Sequence, residues 1–260
     1  PAPARPDGAD ERQRGMDHLV VASGGQKGLD LRTRAMRSER PDQHGERSVQ
    51  RRECGQVASR AHGQTLADRI PCVCYSADHE PRPAHGSAIS VALLRNEVPI
   101  LGVVYAPVTV EGPPDCIAWT EGLTGIRRNA QILQTSLRGA ALEAGCKVMV
   151  STAAVRKQKI NAELCEPAVF HPMPSITYRL ARVAAGDAVA AVSVVPVSAH
   201  DVAAGHAILK GAGGTLLDQD GVEITRYAED SLGFVGNRVF GGASLACITL
   251  ASRKWERVFQ

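Results

Sequence analysis

The chain has 260 residues, a hydrophobic content of 44% and a formal net charge of +3. This length can bury the core of one large domain or two small ones. The small net charge gives no argument for a nucleic acid polymer as partner, since such proteins concentrate basic residues on one face. No stretch approaches the ~18 apolar residues of a membrane-spanning helix, so we expect no membrane association. Seven cysteines without a framework indicate reduced thiols and predict a cytoplasmic protein.

The composition of the chain changes near residue 86. The segment 1–86 is rich in arginine, proline, glutamine and glycine, and Tyr75 is its one aromatic residue. This composition is typical of a disordered chain, so we interpret the segment as an atypical, disordered or degraded amino-terminal part. Its arginines are not interleaved with aromatic residues that could stack on bases, which favours a solvated segment over a nucleic acid contact. A zinc site is disfavoured too, because Cys72 and Cys74 lack the usual Cys-x₂-Cys spacing.

Apolar runs in the segment 87–145 predict an antiparallel sheet. The runs at 88–94 and 99–105 flank the polar residues Arg95-Asn96-Glu97, a pattern that indicates a β-hairpin. A third strand is predicted at 116–120, and a fourth at 147–151 lies just beyond the segment.

The segment 146–260 alternates predicted strands and helices, which is typical of an α/β architecture. Ser175 is a favoured cap for a helix that ends at Gly186. Asp201 begins the next helix, and Gly213-Gly214 ends it. The remaining predicted elements are strands at 188–195 and 215–217 and a last helix at about 244–259. The spacing of that helix predicts one side formed by Leu245, Ile248, Ser252, Trp255 and Phe259.

Asp201 combines a carboxylate with the start of a helix that follows an apolar strand. The free N–H groups and the positive dipole end of such a terminus suit a phosphate. A carboxylate there can bind a hard cation, which can hold the phosphate in turn. The small residues Ala203, Ala204 and Gly205 would let a ligand approach the first turn closely. Spacing alone, however, favours the simpler interpretation that Asp201 only caps the helix.

The stretch His200-Asp201-Val202-Ala203-Ala204-Gly205, continued by Gly213-Gly214, resembles the second signature of the inositol monophosphatase family, Trp-Asp-x-Ala-Ala-Gly. Residues 90–107 are similar to the family's paired strands, and residues 174–187 are similar to one of its helices. The resemblance covers about residues 87–245. It implies a layered α-β-α-β-α sandwich, and it also implies a homodimer.

The resemblance further implies a Mg²⁺-dependent phosphatase that hydrolyses a small phosphorylated substrate. Inositol monophosphate is the first substrate class that we expect, and a 3′(2′),5′-bisphosphate nucleotide is the second. Asp201 would be a metal ligand, and Ser151, Ser175, Gly205 and His206 would bind the substrate. A helix cap is the alternative role of Ser175, and packing within its helix is the alternative role of His206.

The other metal ligands of the family have no counterparts in the sequence. The family's first signature, Asp-Pro-Ile/Leu-Asp-Gly-Thr, should lie around residues 72–77, where the chain reads Cys-Val-Cys-Tyr-Ser-Ala. The upstream Glu-Glu pair of the family is also absent. One aspartate cannot hold a cluster of Mg²⁺ ions. The alternative to an active enzyme is therefore a catalytically degenerate member that keeps the fold for binding or assembly.

Overall fold

The computed structural model describes residues 17–24, 87–109 and 111–260. Within them the chain forms two β-sheets and four α-helices, which confirms the predicted α/β class. The first sheet is antiparallel and has six strands in sequence order: β1 (Asp17–Gly24), β2 (Ser87–Arg95), β3 (Val98–Val108), β4 (Asp115–Thr120), β5 (Ile126–Arg128) and β6 (Gln131–Leu133). Strand β1 belongs to the segment 1–86, for which we predicted no strand. Local sequence could not reveal it, because its partner β2 lies more than sixty residues further along the chain.

The second sheet and the helices form the carboxyl-terminal part. The sheet has the order β10-β11-β9-β7-β8, with β7 (Lys147–Val150), β8 (Val169–Pro172), β9 (Ala190–Ser193), β10 (Thr215–Asp218) and β11 (Val239–Gly242). Strand β7 runs parallel to β8 and β9, and such pairs need crossover connections. The helices are α1 (Gln158–Cys165), α2 (Ile176–Ala184), α3 (Ala199–Gly211) and α4 (Ser244–Ala251). None of the described helices is long and apolar enough to cross a membrane.

Helices α2 and α3 pack against each other and contact strands of both sheets. Two glycines allow this close packing. A Cβ atom on Gly205 of α3 would lie 2.6 Å from Cβ of Leu180 and 2.9 Å from the carbonyl oxygen of Thr177, both in α2. A Cβ atom on Gly102 of β3 would collide with the carbonyl oxygen of Ala204. The small residues of α3 therefore make room for a neighbouring helix and strand.

Two tight turns join strands of the first sheet. Asn96 and Glu97, between β2 and β3, have φ angles of 50° and 68°. Asn129 and Ala130, between β5 and β6, have φ angles of 47° and 69°. Two consecutive residues with positive φ are the mark of a type I′ turn, whose twist matches that of the flanking strands. The predicted polar turn at 95–97 is thereby confirmed.

A network of charged side chains connects the first sheet to helix α2. Arg128 of β5 donates two hydrogen bonds to Asp115 of β4, at 2.9 and 2.8 Å, and two to Asp187, at 2.9 and 3.0 Å. Tyr178 of α2 donates to Asp115 at 2.8 Å, and Arg182 pairs with Asp187. Burial would raise the pKa of Asp187, but hydrogen bonds from Arg128 and Arg182 lower it.

Two predicted helix boundaries are wrong. Helix α3 begins at Ala199 with Ser198 as its cap, so Asp201 is its third residue and does not begin it. The predicted helix 244–259 ends at Ala251, and a 3₁₀ segment, Trp255–Phe259, follows after a break. The indole N–H of buried Trp255 donates to the carbonyl oxygen of Leu250 at 2.7 Å, which satisfies a group at the helix end.

The predicted buried side of the last helix is also wrong. Leu245 and Ile248, which we expected on its apolar side, are exposed, whereas Ala246, Cys247 and Leu250 are buried. Nearly every residue of α4 is apolar, so hydrophobic spacing could not identify the buried side.

Candidate functional site

Three predicted site residues follow the carboxyl ends of adjacent parallel strands. Ser151 comes directly after β7, Ser175 is the third residue after β8, and Asp201 follows β9 through a short connection. Since β8, β7 and β9 are neighbours in the sheet and run in the same direction, their carboxyl ends meet at one edge. Ligands of α/β proteins bind at such an edge. We call this edge, with the helix starts that follow it, the candidate site.

Ser175 caps helix α2 and has an unusual backbone conformation. Its hydroxyl accepts a hydrogen bond from the N–H of Tyr178 at 3.4 Å, as predicted for a cap. Its φ is 54° and its ψ is 113°, outside the regions that L-residues normally occupy. Such strained residues concentrate at functional sites, where the surrounding structure enforces them.

Arg179 is a buried cation at this edge that the sequence analysis did not identify. The residue is 4% exposed, and its Nε atom donates to the carbonyl oxygen of Ser175 at 3.4 Å. A terminal nitrogen, Nη1, donates to the carbonyl oxygen of Val192, near the end of β9. The sequence signal is a charge on an apolar helix face, between Ile176 and Val183 at helical spacing.

The charge of Arg179 has no carboxylate partner among the residues that the structure describes. Burial lowers the pKa of Arg179 to about 9, so the guanidinium group stays charged at neutral pH. A buried charge without a partner is unfavourable, and a bound anion would relieve that cost. The guanidinium group contacts the carbonyl groups at the start of α2 and the end of β9, which places it at the candidate site.

Asp201 participates in a capping box with Ser198. One carboxylate oxygen of Asp201, Oδ2, accepts hydrogen bonds from the N–H and the hydroxyl of Ser198, at 2.8 and 2.7 Å. The side chain is exposed, and its other oxygen, Oδ1, accepts no hydrogen bond from the described residues. Both interpretations of the sequence are therefore compatible with the geometry, because the carboxylate caps the helix and keeps one oxygen open to solvent.

A cluster of Mg²⁺ ions does not fit the side chains that the structure describes. No three His, Cys, Asp or Glu residues among them come close enough to hold a metal ion. Asp201 could supply one oxygen ligand, whereas Mg²⁺ requires near-octahedral coordination and a cluster requires several carboxylates. Residues 72–77, where the family's first signature would lie, are outside the described residues.

His206 and Gly205 are both buried in α3. His206 is 3% exposed, and its Nδ1 atom lies 2.8 Å from the hydroxyl of Tyr227. Burial, with a smaller contribution from Lys210, lowers the pKa of His206 to about 3, so the ring is neutral. Gly205 is buried against α2 and donates its N–H to the hydroxyl of Thr177 at 3.3 Å. Both residues make packing contacts in this structure, which is the alternative role expected for His206, and their contact with substrate stays a prediction.

Ser151 lies at the candidate site but is engaged locally. It caps the 3₁₀ segment Thr152–Lys157, and its hydroxyl accepts a hydrogen bond from the N–H of Ala153 at 3.3 Å. The structure thus brings Ser151, Ser175 and Asp201 to one edge of the second sheet and adds Arg179 to them.

The comparisons with known proteins are consistent with this architecture. The chain resembles inositol monophosphatase II from Staphylococcus aureus MSSA476, with 19% identity, a TM-score of 0.51, and coverage of 66% of this chain and 60% of that chain. A structure of staphylococcal IMPase-II with bound 2′-AMP gives 20% identity, a TM-score of 0.51, and coverage of 66% and 62%. Another structure of that protein holds inositol monophosphate. This likeness establishes the fold, and the chain spans 62% of the length of the 2′-AMP-bound structure.

The sequence comparisons identify the family. Comparison with curated proteins finds no match. A family model for the Inositol monophosphatase family matches residues 84–251, which is well over half of the chain. These residues contain all four described helices, the second sheet and most of the first. The chain therefore belongs to the inositol monophosphatase family.

Proposed function

We propose that this chain is a phosphatase of its family that acts on a small phosphate monoester bound at the candidate site. The observation that carries the proposal is Arg179, a buried guanidinium group without a carboxylate partner among the described residues. A phosphate monoester is a compact dianion, and a guanidinium group is a favoured donor to phosphate oxygens. No other described group of the candidate site carries a buried positive charge.

Two further features support a phosphate at this position. The first N–H groups of α2 and the positive end of its dipole favour an anion. Ser175, whose backbone is held in a strained conformation, fixes the start of α2 and places its hydroxyl beside that terminus. Binding would therefore combine the charge of Arg179 with the polar groups at the start of the helix.

The proposal assigns binding and hydrolysis to different groups. Arg179 and the start of α2 would neutralise and orient the phosphate. Asp201 would contribute one oxygen ligand to Mg²⁺, which in such sites supplies Lewis acidity and activates water. We derive no hydrolytic step from the described residues, because they do not hold a Mg²⁺ cluster. That observation favours a second candidate function, a degenerate family member that binds phosphate esters without hydrolysing them.

Two substrate classes enter the proposal. Inositol monophosphate and 2′-AMP are bound in the structures of the staphylococcal relative, and both are phosphate monoesters. For this chain we therefore propose inositol monophosphate and adenosine 3′,5′-bisphosphate as the ligands to compare. The homodimer stays a prediction, which light scattering on the purified chain would test.

The first experiment measures binding without catalysis. Isothermal titration calorimetry in EDTA, with inositol 1-phosphate and adenosine 3′,5′-bisphosphate, should detect binding of at least one ligand. Arg179→Gln should weaken that binding by about tenfold or more, since a hydrogen bond to a charged group contributes about 1.5–3 kcal/mol. Arg179→Lys should recover only part of the affinity, because it keeps the positive charge but lacks the planar guanidinium group that can donate two parallel hydrogen bonds.

The matched control is Arg257→Gln, which removes a half-exposed arginine paired with Glu163 and should leave binding unchanged. Ser175→Ala is a second test that spares the buried charge, and it should weaken binding without abolishing it. Equal affinity of the wild type, Arg179→Gln and Ser175→Ala for these ligands would contradict the proposed phosphate binding.

The second experiment separates the enzyme from the degenerate alternative. Release of inorganic phosphate from both ligands is measured with Mg²⁺ and with EDTA. An active phosphatase should release phosphate only with Mg²⁺, and Asp201→Asn should abolish most of that release. Ligand binding without any release in Mg²⁺ would establish the degenerate alternative instead.

A further inference from the structure

A short segment between β3 and β4 of the first sheet is fastened to the second sheet through one glutamate. The segment 111–114 reads Glu-Gly-Pro-Pro and directly precedes β4. One carboxylate oxygen of Glu111, Oε1, lies 2.8 Å from Nε2 of His171 in β8. The other oxygen, Oε2, lies 2.8 Å from Nη1 of Arg182 in α2. A single side chain therefore connects this segment to β8 and to α2.

His171 is the end of a continuous chain of ion pairs. From His171 the chain runs through three carboxylates and two guanidinium groups, which are in order Glu111, Arg182, Asp187, Arg128 and Asp115. These groups carry one excess negative charge while the ring of His171 is neutral. A proton on His171 cancels that excess. Histidine is also the side chain whose charge changes between about pH 5 and pH 8.

Glu111 keeps its charge over the pH range in which a histidine titrates. A hydrogen bond from Arg182 lowers the pKa of Glu111 below its ordinary value, and the charges of His171 and Lys147 add to this effect against the opposing effect of burial. An ionised carboxylate can only accept hydrogen bonds, so Nε2 of His171 carries the hydrogen that faces Glu111. A proton that charges the ring therefore binds to Nδ1. The side chain of His171 is 21% exposed, so water reaches the ring.

Other charged residues near this contact come from the elements that pack against β8, which are β7, α1 and the 3₁₀ segment before α1. Lys147 of β7 favours the ionised form of Glu111. Glu163 of α1 pairs with Arg257. The remaining charged residues of these elements are Arg156, Lys157 and Lys159. These three form no ion pair with Glu111, so among the described residues His171 is its one partner that titrates near neutral pH.

We propose that His171 and Glu111 form a pH-sensitive latch, which fastens the segment 111–114 to β8 when His171 is protonated and loosens it when the ring is neutral. A hydrogen bond between two charged groups is roughly twice as strong as one between neutral groups. As the pH rises, Nδ1 of His171 loses its proton and the contact weakens to a hydrogen bond from a neutral ring. His171 lies four residues before Ser175, so the latch holds the strand that leads into the candidate site. The latch does not depend on the proposed function.

A double-mutant cycle at two pH values tests the latch. Urea unfolding of the wild type, His171→Gln, Glu111→Gln and the double variant gives four equilibrium constants of unfolding at each pH. The coupling between the two residues should change that constant by about threefold to fivefold at about pH 5.5 and by less than about twofold at about pH 8. His206 is present in all four proteins, so its titration cancels in the cycle. An equal coupling at both pH values would overturn the latch.

A second measurement follows the segment itself. The heteronuclear ¹H–¹⁵N NOE of the Gly112 amide reports motion of the segment on the ps–ns timescale. In the wild type this NOE should be higher at about pH 5.5 than at about pH 7.5, because the protonated ring holds the segment. The change should be smaller in His171→Gln, which also corrects for faster exchange with water at the higher pH. An equal change in both proteins would overturn the latch.

The matched control is a cycle of Arg257→Gln and Glu163→Gln, an ion pair without a histidine. Its nitrogen–oxygen distance is 2.7 Å, and its glutamate is 39% exposed, against 40% for Glu111. Both members stay charged over the tested range, so their coupling should be the same at both pH values. A control coupling that falls with rising pH as steeply as that of His171 and Glu111 would overturn the latch, because the pH dependence would then be general.

Discussion

One carboxylate oxygen of Asp201 accepts both hydrogen bonds that Ser198 can offer, from its N–H at 2.8 Å and from its hydroxyl at 2.7 Å. This reciprocal cap stabilises the start of α3, so we expect Ser198→Ala and Asp201→Ala each to lower the free energy of unfolding by about 1 kcal/mol. Because the two residues share one interaction, the double variant should lose less than the sum, with a coupling of about 0.5–1 kcal/mol. Urea unfolding of the four proteins measures the coupling.

Ser244→Ala is the control for this cycle. Ser244 is an exposed residue in the first turn of α4, where the cap residue Ala243 makes no side-chain hydrogen bond. Its substitution should change the free energy of unfolding by less than about 0.5 kcal/mol. Additive losses from Ser198→Ala and Asp201→Ala would contradict the shared cap.

The buried His206 makes stability depend on pH. In the folded chain its pKa is lowered to about 3, whereas an unfolded histidine titrates near pH ~6.5. The unfolded chain therefore binds a proton that the folded chain does not, and stability falls as the pH drops from about 6.5 towards 3. The contribution of this residue should approach about 1.4 kcal/mol per pH unit within that window.

Two variants isolate this effect from the titration of carboxylates. His206→Gln keeps a hydrogen-bonding group but no longer titrates, so its loss of stability with falling pH should be shallower than that of the wild type. Tyr227→Phe removes the partner hydroxyl and keeps the histidine, so it should lower stability by about 1 kcal/mol near neutral pH. Parallel curves for wild type and His206→Gln would show that His206 is accessible to protons.

The sequence predicts features whose causes are local. Helix α2 is predictable because its cap Ser175, its apolar spacing and the terminating Gly186 lie within one short segment. The placement of His206 is not predictable, because its hydrogen-bond partner Tyr227 is 21 residues away. The apolar spacing of α3 also cannot reveal that Gly205 adjoins another helix, since residues 202–209 are all apolar or small except His206 and so show no polar face.

The candidate site also has features that the local sequence predicts and features that depend on distant residues. The position of Asp201 near a helix start follows from local sequence and from the family resemblance, whereas its exact place in α3 depends on Ser198 as the cap. The sequence does not predict Arg179 as a site residue, because a lone arginine in an amphipathic helix is usually solvated. Its burial depends on Val192, which reaches it only when β9 and α2 pack together. The charged network also lies beyond local inference, since Arg128 and Asp187 are 59 residues apart.

Gly205→Ala tests the packing role of α3. The new methyl group would lie 2.6 Å from Cβ of Leu180, and neither that atom nor the backbone of α2 can move without shifting the helix. Overpacking of this kind costs about 1–3 kcal/mol, more than the ~1 kcal/mol that alanine gains in helix propensity. We therefore expect net destabilisation in thermal or urea unfolding. Gly233→Ala, which would meet nothing within 4 Å, should change stability little, and a similar loss in both variants would contradict the packing role.

Arg128→Met tests the network between the first sheet and α2. The substitution leaves Asp115, which is 3% exposed, without its bidentate partner, and it removes one partner of Asp187. Leaving a buried carboxylate uncompensated costs about 3–5 kcal/mol, and the hydroxyl of Tyr178 would offset part of that. Arg257→Met removes an exposed pair with Glu163 and should cost less than about 1 kcal/mol. Equal losses in the two variants would show that the network contributes no more than a surface ion pair.

The two type I′ turns allow a prediction of increased stability. Glu97 and Ala130 occupy the second positive-φ position of their turns, at 68° and 69°, where a side chain other than glycine is strained by about 1–2 kcal/mol. Glycine removes that strain but loses more backbone entropy on folding, so Glu97→Gly and Ala130→Gly should each raise the free energy of unfolding by about 0.5–1 kcal/mol. The turns lie at different hairpins, so the two gains in stability should add in the double variant.

Gly122→Ala gives the opposite test. Gly122 has a φ of 88°, and a new Cβ atom would have no atom within 4 Å, so any loss of stability there comes from backbone strain alone. In urea unfolding, Glu97→Gly and Ala130→Gly should each raise the free energy of unfolding, the double variant should raise it by their sum, and Gly122→Ala should lower it. A lower free energy of unfolding for Ala130→Gly would mean that the turn tolerates alanine without strain.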